Sequence, residues 1–377
     1  FHDDFHGTDG PIIARRFKRE EWLPAQHAFY AACKDAGYPD GPDQNNPDAT
    51  GIGPTPYNNP NGIRWSTALG YLDPARHRLN LTIRPNCTVQ RIIFEGNRAT
   101  TVEVESGGQR FTVEAEQIIL SGGAINSPQL LMLSGVGPAD HLTELGISVV
   151  SDLPGVGENL RDHQAIFLLF EAADIISREA PGLQVGMRYT TPSSEFRNDM
   201  QMRPLQVRTE HIPINFDYQG QGSPTGFSIA LQKPYTAGQL RLVSADPLDQ
   251  PKLDYRYLTD PRDRAKLRGA VRQCIELTES PAYKDYPLKR ISPDEDDLAS
   301  DDALDVWLRA NVLTQHHSSG TCKMGPNSDP LAVVDQRCRV HGIEGLRVVD
   351  ASVMPDVVRS NTNATTIMIA ERVSDWL

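Results

Sequence analysis

The stretch Gly123-Ala124-Ile125-Asn126-Ser127-Pro128-Gln129-Leu130-Leu131-Met132-Leu133-Ser134-Gly135-Val136-Gly137 decides how this chain is read. It follows Ile118-Ile119-Leu120, a short apolar run that predicts a buried strand, and Ser121-Gly122, which breaks it. Ser127 suits a helix N-cap and Pro128 a first helical turn, so a helix is predicted from there through Leu133. Ser134-Gly135 then ends it. A strand, a glycine-rich turn and a helix together let a backbone approach a cofactor closely. Ordinary strand–turn–helix packing produces the same pattern.

Upstream of this stretch, strands are predicted at 79–83, 89–94, 100–105 and 111–115, with turns at Gly96-Asn97 and Ser106-Gly107-Gly108. Residues 1–62 are rich in Gly, Pro, Asn and Asp, with one helix predicted over 22–36. A second helix is predicted over 66–72. Residues 158–316 have another texture. Strand-like runs at 165–170, 212–216, 227–231 and 240–243 predict an antiparallel sheet. Helices are predicted at 261–279 and 300–309. A short buried strand over 346–350 and a last helix after Asn363, running to Leu377, complete the reading.

At 377 residues, two domains are expected. The net charge of −12 argues against nucleic acid and anionic membranes as partners. No apolar run is long enough for a membrane span. Five scattered cysteines without CxxC suit free buried thiols in a reducing compartment. A cytoplasmic location is expected, with peripheral membrane association as the alternative. The opening Phe1-His2-Asp3-Asp4 has no signal-peptide character, and the chain is expected to begin mid-protein.

Two loops carry candidate chemistry. His316-His317-Ser318-Ser319-Gly320-Thr321 holds adjacent histidines, and a loop imidazole can accept a proton near neutral pH. A pair of hydrogen-bonding surface histidines fits the same residues. Zinc fits them poorly, because no second cluster supplies further ligands. Ser360-Asn361-Thr362-Asn363-Ala364-Thr365-Thr366 opens the last helix, with Asn363 a candidate N-cap. The N–H groups of such a helix start favour an anionic ligand group.

Taken together and in order, these segments resemble the glucose–methanol–choline (GMC) oxidoreductase family, in its choline-dehydrogenase-like branch. The 123–137 stretch is similar to the family's second signature. His317-x-x-Gly320-Thr321-x-x-Met324-Gly325 resembles its catalytic-histidine loop. Leu346-Arg347-Val348-Val349-Asp350-Ala351, Gly155-Val156-Gly157-Glu158-Asn159-Leu160-Arg161-Asp162-His163 and His6-Gly7-Thr8-Asp9-Gly10-Pro11 resemble further family segments.

The resemblance implies a mixed α/β fold: a Rossmann-like FAD-binding domain over 63–157 and 317–377, and a substrate-binding domain over 1–62 and 158–316. The substrate domain would have an antiparallel sheet and flanking helices. It implies oxidation of an alcohol to a carbonyl with FAD, His317 and Asn363 being the catalytic pair. Val89, Ser121, Gly122, Asp350, Ala351, Thr365 and Thr366 would contact FAD, and no metal is implied. Electrons would pass to oxygen or to a quinone or carrier. No G-x-G-x-x-G occurs, so an N-terminal segment of the same protein is expected to supply that element. A flavin-containing hydroxynitrile-lyase-like enzyme and an inactive fragment remain alternatives.

Overall fold

The computed structural model describes residues 6–172, 182–192, 194–206 and 223–377. They form two compact units. The first comprises residues 1–83, 164–232 and 261–313; the second comprises 84–163, 233–260 and 314–377. These boundaries differ from the expected ones in four places. Residues 63–83 lie with the first unit, and 158–163, 233–260 and 314–316 lie with the second.

In the first unit, six strands follow one another across an antiparallel sheet: Gly51–Pro54, Val185–Tyr189, Met200–Gln206, Ser223–Leu231, Gln164–Ala172 and Leu288–Ser292. The nearly unbroken apolar run 165–170 is buried on both faces. Helix Pro24–Asp35 and helix Pro261–Thr278 pack against this sheet. The first buries Ala25, Phe29, Ala32 and Cys33 at helical spacing. Proline opens both helices, where its missing N–H costs nothing. The predicted strand 212–216 lies outside the described residues.

Several strands of this sheet were not legible in the sequence. Met200–Gln206 contains Pro204, which argues against an interior strand. The structure tolerates it because the ladder to Val185–Tyr189 covers only Met200 to Met202. Pro204 pairs on the other side alone, opposite Phe227.

The second unit holds an antiparallel meander, Thr88–Glu95, Arg98–Ser106 and Gln109–Glu114, turning where expected. Beside it, Ile118–Leu120 pairs in parallel with Leu346–Val348. Leu120, Leu131, Met132, Val156, Val333 and Val348 contribute to the core of this unit. The predicted strand 240–243 is observed as Gln239–Arg241, paired with Lys252–Asp254.

Three local expectations are corrected. Residues 79–83 form no strand: Leu79, Leu81 and Ile83 are exposed, and no ladder partner meets them among the described residues. The helix predicted from Ser127 is Gly123–Leu133, one turn longer, with Pro128 inside it. Proline cannot donate to the carbonyl four residues back, which is that of Ala124. The buried hydroxyl of Thr321 donates to that carbonyl instead, at 2.7 Å. The last helix is Thr362–Ser374, so Asn363 is its second residue. Asn361 occupies the N-cap position without a side-chain cap bond.

Candidate active site

Two chain segments in the second unit run antiparallel and build the site. Arg161 and Ser319 exchange both backbone hydrogen bonds, each at 2.9 Å. Gly157 N–H reaches the Thr321 carbonyl at 2.9 Å, and Gln315 N–H reaches the His163 carbonyl at 3.2 Å. The stretch before the Gln164–Ala172 strand is thereby zipped to the histidine loop.

The two adjacent histidines separate. His316 adopts φ +61°, a left-handed conformation uncommon for a residue with a Cβ, and is exposed. The bend turns its neighbour inward, and His317 is 9% exposed. Its backbone N–H donates to Asp162 Oδ1 at 2.9 Å. Its ring Nδ1 lies 2.8 Å from Nδ1 of His163, the two planes crossing at 80°. Nε2 of His163 contacts the Val358 carbonyl at 2.7 Å.

Asp162 holds this pair from below. Oδ1 also accepts the His163 N–H at 2.8 Å, and Oδ2 accepts the Tyr257 hydroxyl. Burial pushes the Asp162 carboxyl above the usual carboxylate range, and its hydrogen bonds with Thr314, Tyr257, His317 and His163 oppose that rise. Tyr257 stacks on Tyr255, whose hydroxyl pairs with Ser318 at 2.7 Å. The Tyr255 and Tyr257 hydroxyls are held neutral by burial.

Gly320 is the point of closest approach. It sits at φ +83°, and a Cβ there would meet the Asn159 carbonyl at 2.6 Å. Asn159 Nδ2 in turn donates to the Gly320 and Pro355 carbonyls. Beyond Gly320 the loop runs beside residues 351–353: Gly320 N–H binds the Ala351 carbonyl, Cys322 N–H that of Ser352 and Met324 N–H that of Val353.

The residues expected around a cofactor lie in this unit. Ser121 and Gly122 are exposed at the carboxyl end of one parallel strand; Asp350 and the half-buried Ala351 follow the other. Asp350 ties the two ends together. Its carboxylate accepts Gly123 N–H at 2.9 Å, the Ser127 hydroxyl at 2.6 Å and Ser352 N–H at 2.7 Å. Ser127 therefore bridges to Asp350 rather than capping the helix. Val89 is the second residue of its strand and 37% exposed. Thr365 and Thr366 are half-buried near the start of the last helix, and Asn363 is exposed there. The carboxyl ends of parallel strands are where such folds bind nucleotides, so this arrangement fits FAD. Sequence reasoning gave no role to Asp162, His163, Tyr255 or Tyr257. The signal available was Asp162-His163, a polar pair directly before an apolar strand.

Two sequence profiles of the GMC oxidoreductase family match the chain, over residues 8–165 and 234–370. An oxygen-dependent choline dehydrogenase of Chromohalobacter salexigens is 39% identical over 99% of this chain and 70% of its own length. One of Photobacterium profundum is 35% identical over 99% of this chain and 69% of its own. The structure of a pyridoxine 4-oxidase from Mesorbium loti matches with a TM-score of 0.88 and 28% identity, covering 98% of this chain and 72% of that one. A formate oxidase of Aspergillus oryzae shares the fold alone, at TM-score 0.88 and 23% identity, over 97% of this chain and 72% of its own. The chain belongs to the GMC oxidoreductase family. It is an FAD-dependent oxidoreductase acting on CH–OH donors.

Proposed function

We propose that this chain oxidises a small alcohol to a carbonyl, with His317 as the general base. One observation carries the reading: of two adjacent histidines, His317 is the one buried and held, by Asp162 at its backbone and by His163 at its ring. A base must be fixed against the proton it takes, and proton transfer by a positioned side chain accelerates such steps by roughly 100–10,000-fold.

FAD, when bound, supplies the hydride acceptor for the redox chemistry. His317 takes the hydroxyl proton as the α-hydrogen leaves. Asn363 hydrogen-bonds the same oxygen and fixes its orientation. Val89, Ser121, Gly122, Asp350, Ala351, Thr365 and Thr366 would hold the cofactor, the second unit serving FAD and the first the substrate. The N–H groups at the start of the Thr362–Ser374 helix would favour negative charge on a flavin held there. Choline is the first alcohol to try, given the named relatives. Oxygen and a quinone or carrier are the acceptors to compare.

The test is anaerobic bleaching of the flavin-loaded protein by alcohols. His317→Ala is expected to slow flavin reduction by roughly 100–10,000-fold. Reduction by a good substrate at near wild-type speed in that variant would refute the assignment. A flavin that no alcohol bleaches would instead favour lyase chemistry.

A further inference from the structure

Resting on the reading of His317 as the base, we propose that His163 decides which ring nitrogen acts. His163 is a positioning residue that holds His317 in its Nδ1–H tautomer, so that Nε2 is the proton-accepting atom.

The Val358 carbonyl only accepts, so the 2.7 Å contact requires a hydrogen on Nε2 of His163. A neutral imidazole carries one N–H, so Nδ1 of His163 presents a lone pair. The Nδ1–Nδ1 contact at 2.8 Å needs one hydrogen, and His317 must provide it. With its single hydrogen on Nδ1, neutral His317 keeps its basic lone pair on Nε2. The alternative would put two lone pairs, or two N–H groups, head to head within 2.8 Å.

Both backbones are pinned and the far nitrogen of the His163 ring is bonded to Val358, which limits how far the rings can move apart. His163 is fully buried, and one oxygen of Asp162 binds the N–H of both residues. Proton uptake by His317 at Nε2 then leaves both hydrogen bonds intact: Nδ1–H still donates to His163, and His163 still donates to Val358. Uptake by His163 at Nδ1 would oppose two N–H groups. The open position for an added proton is therefore Nε2 of His317, across the ring from the atom that meets His163. An orienting partner that fixes the tautomer of a catalytic histidine is worth a great deal: in the serine-protease triad, the wrong tautomer costs about 10,000-fold.

The direct test reads the tautomer without turnover. The protein, labelled with 15N in its histidine rings, is examined at neutral pH by long-range proton–nitrogen correlation spectra. His317→Gln and His163→Asn substitutions assign the signals. A protonated Nδ1 and an unprotonated Nε2 are expected for His317. His163→Phe keeps a flat ring but removes the acceptor, and should release His317 into its Nε2–H form. His163→Asn restores an oxygen acceptor near the former Nδ1 and should recover the Nδ1–H form.

In the flavin-loaded enzyme, His163→Phe should slow flavin reduction by roughly 100-fold or more, with substrate affinity little changed. His163→Asn should recover part of that loss. An Nε2–H signal for His317 in the wild type, or an unchanged tautomer in His163→Phe, overturns the proposal. Should the Phe variant not fold, the wild-type spectrum decides alone. The two readings fail separately. A reversed tautomer with a slow His317→Ala variant leaves the base assignment standing and removes His163 from it. The expected tautomer with a fast His317→Ala variant removes the base assignment itself.

Discussion

At the scale of single residues, Asp162 shows two effects in competition. Its carboxylate collects two backbone N–H groups and a tyrosine hydroxyl, each of which favours the charged form. Burial disfavours it, and burial wins, since the carboxyl titrates above its ordinary range. The consequence for stability has a definite sign. A carboxyl whose pKa is higher folded than unfolded stabilises the fold fully only below its unfolded pKa, about 3.9. That contribution is lost as pH rises through the folded value. Asp162→Asn keeps an acceptor for both N–H groups and cannot ionise. Its unfolding free energy, measured by urea titration, should therefore gain on that of the wild type as pH climbs from about 3 past the folded value. A difference between the two proteins that stays constant with pH would contradict this account. The same neighbourhood explains why His316 and His317 are not interchangeable: His316, at a left-handed φ angle, is exposed while His317 is buried.

At the scale of elements, the Gly123–Leu133 helix has a defect that another segment repairs. Pro128 leaves the Ala124 carbonyl without its helical donor, and Thr321, 197 positions away, provides one. Removing that donor from a buried acceptor should cost about 1–3 kcal/mol. Thr321→Val is expected to lower the unfolding free energy by that amount. In a Pro128→Ala background a backbone N–H becomes available, and the same substitution should cost about 1 kcal/mol less. Denaturant titrations of the four proteins give the coupling. Strict additivity would show that the hydroxyl does not replace the missing helical bond. This contact also locks the turn after Gly122 to the loop carrying His317, so the helix and the catalytic loop hold their places together.

At the scale of the molecule, each unit has its own core, and four of the five thiols are buried. Cys33 and Cys274 are buried in the first unit, Cys322 and Cys338 in the second; Cys87 is half-buried. Burial holds the Cys33, Cys274 and Cys322 thiols well above their usual range, and pushes Cys338 up to about 11. Thiolate, not thiol, is the reactive form. Native protein treated with iodoacetamide near pH 8 should be alkylated first at Cys87, the other four reacting only on unfolding. Peptide mass mapping over time checks this. Rapid native labelling of Cys33 or Cys322 would contradict the burial described here. No helix of the described residues is long and apolar enough to cross a membrane.

What the sequence determined by itself was mostly local or ordered along the chain. The helix start at Pro261, hairpin turns marked by glycine and several apolar strand runs were readable, because each depends on neighbours a few positions apart. The order of the motifs was readable too, and it sufficed for the family. The fold alone decided what depends on distant partners. Pro204 reads as a strand breaker until the neighbouring ladder is seen to stop short of it. Ser127 reads as a helix cap until Asp350, 223 positions on, is seen to take its hydroxyl. His317 was readable as a candidate, but its contact with His163 spans 154 positions. A hydrogen bond of that reach needs two loops set within a few tenths of an ångström, which only the packed tertiary structure provides.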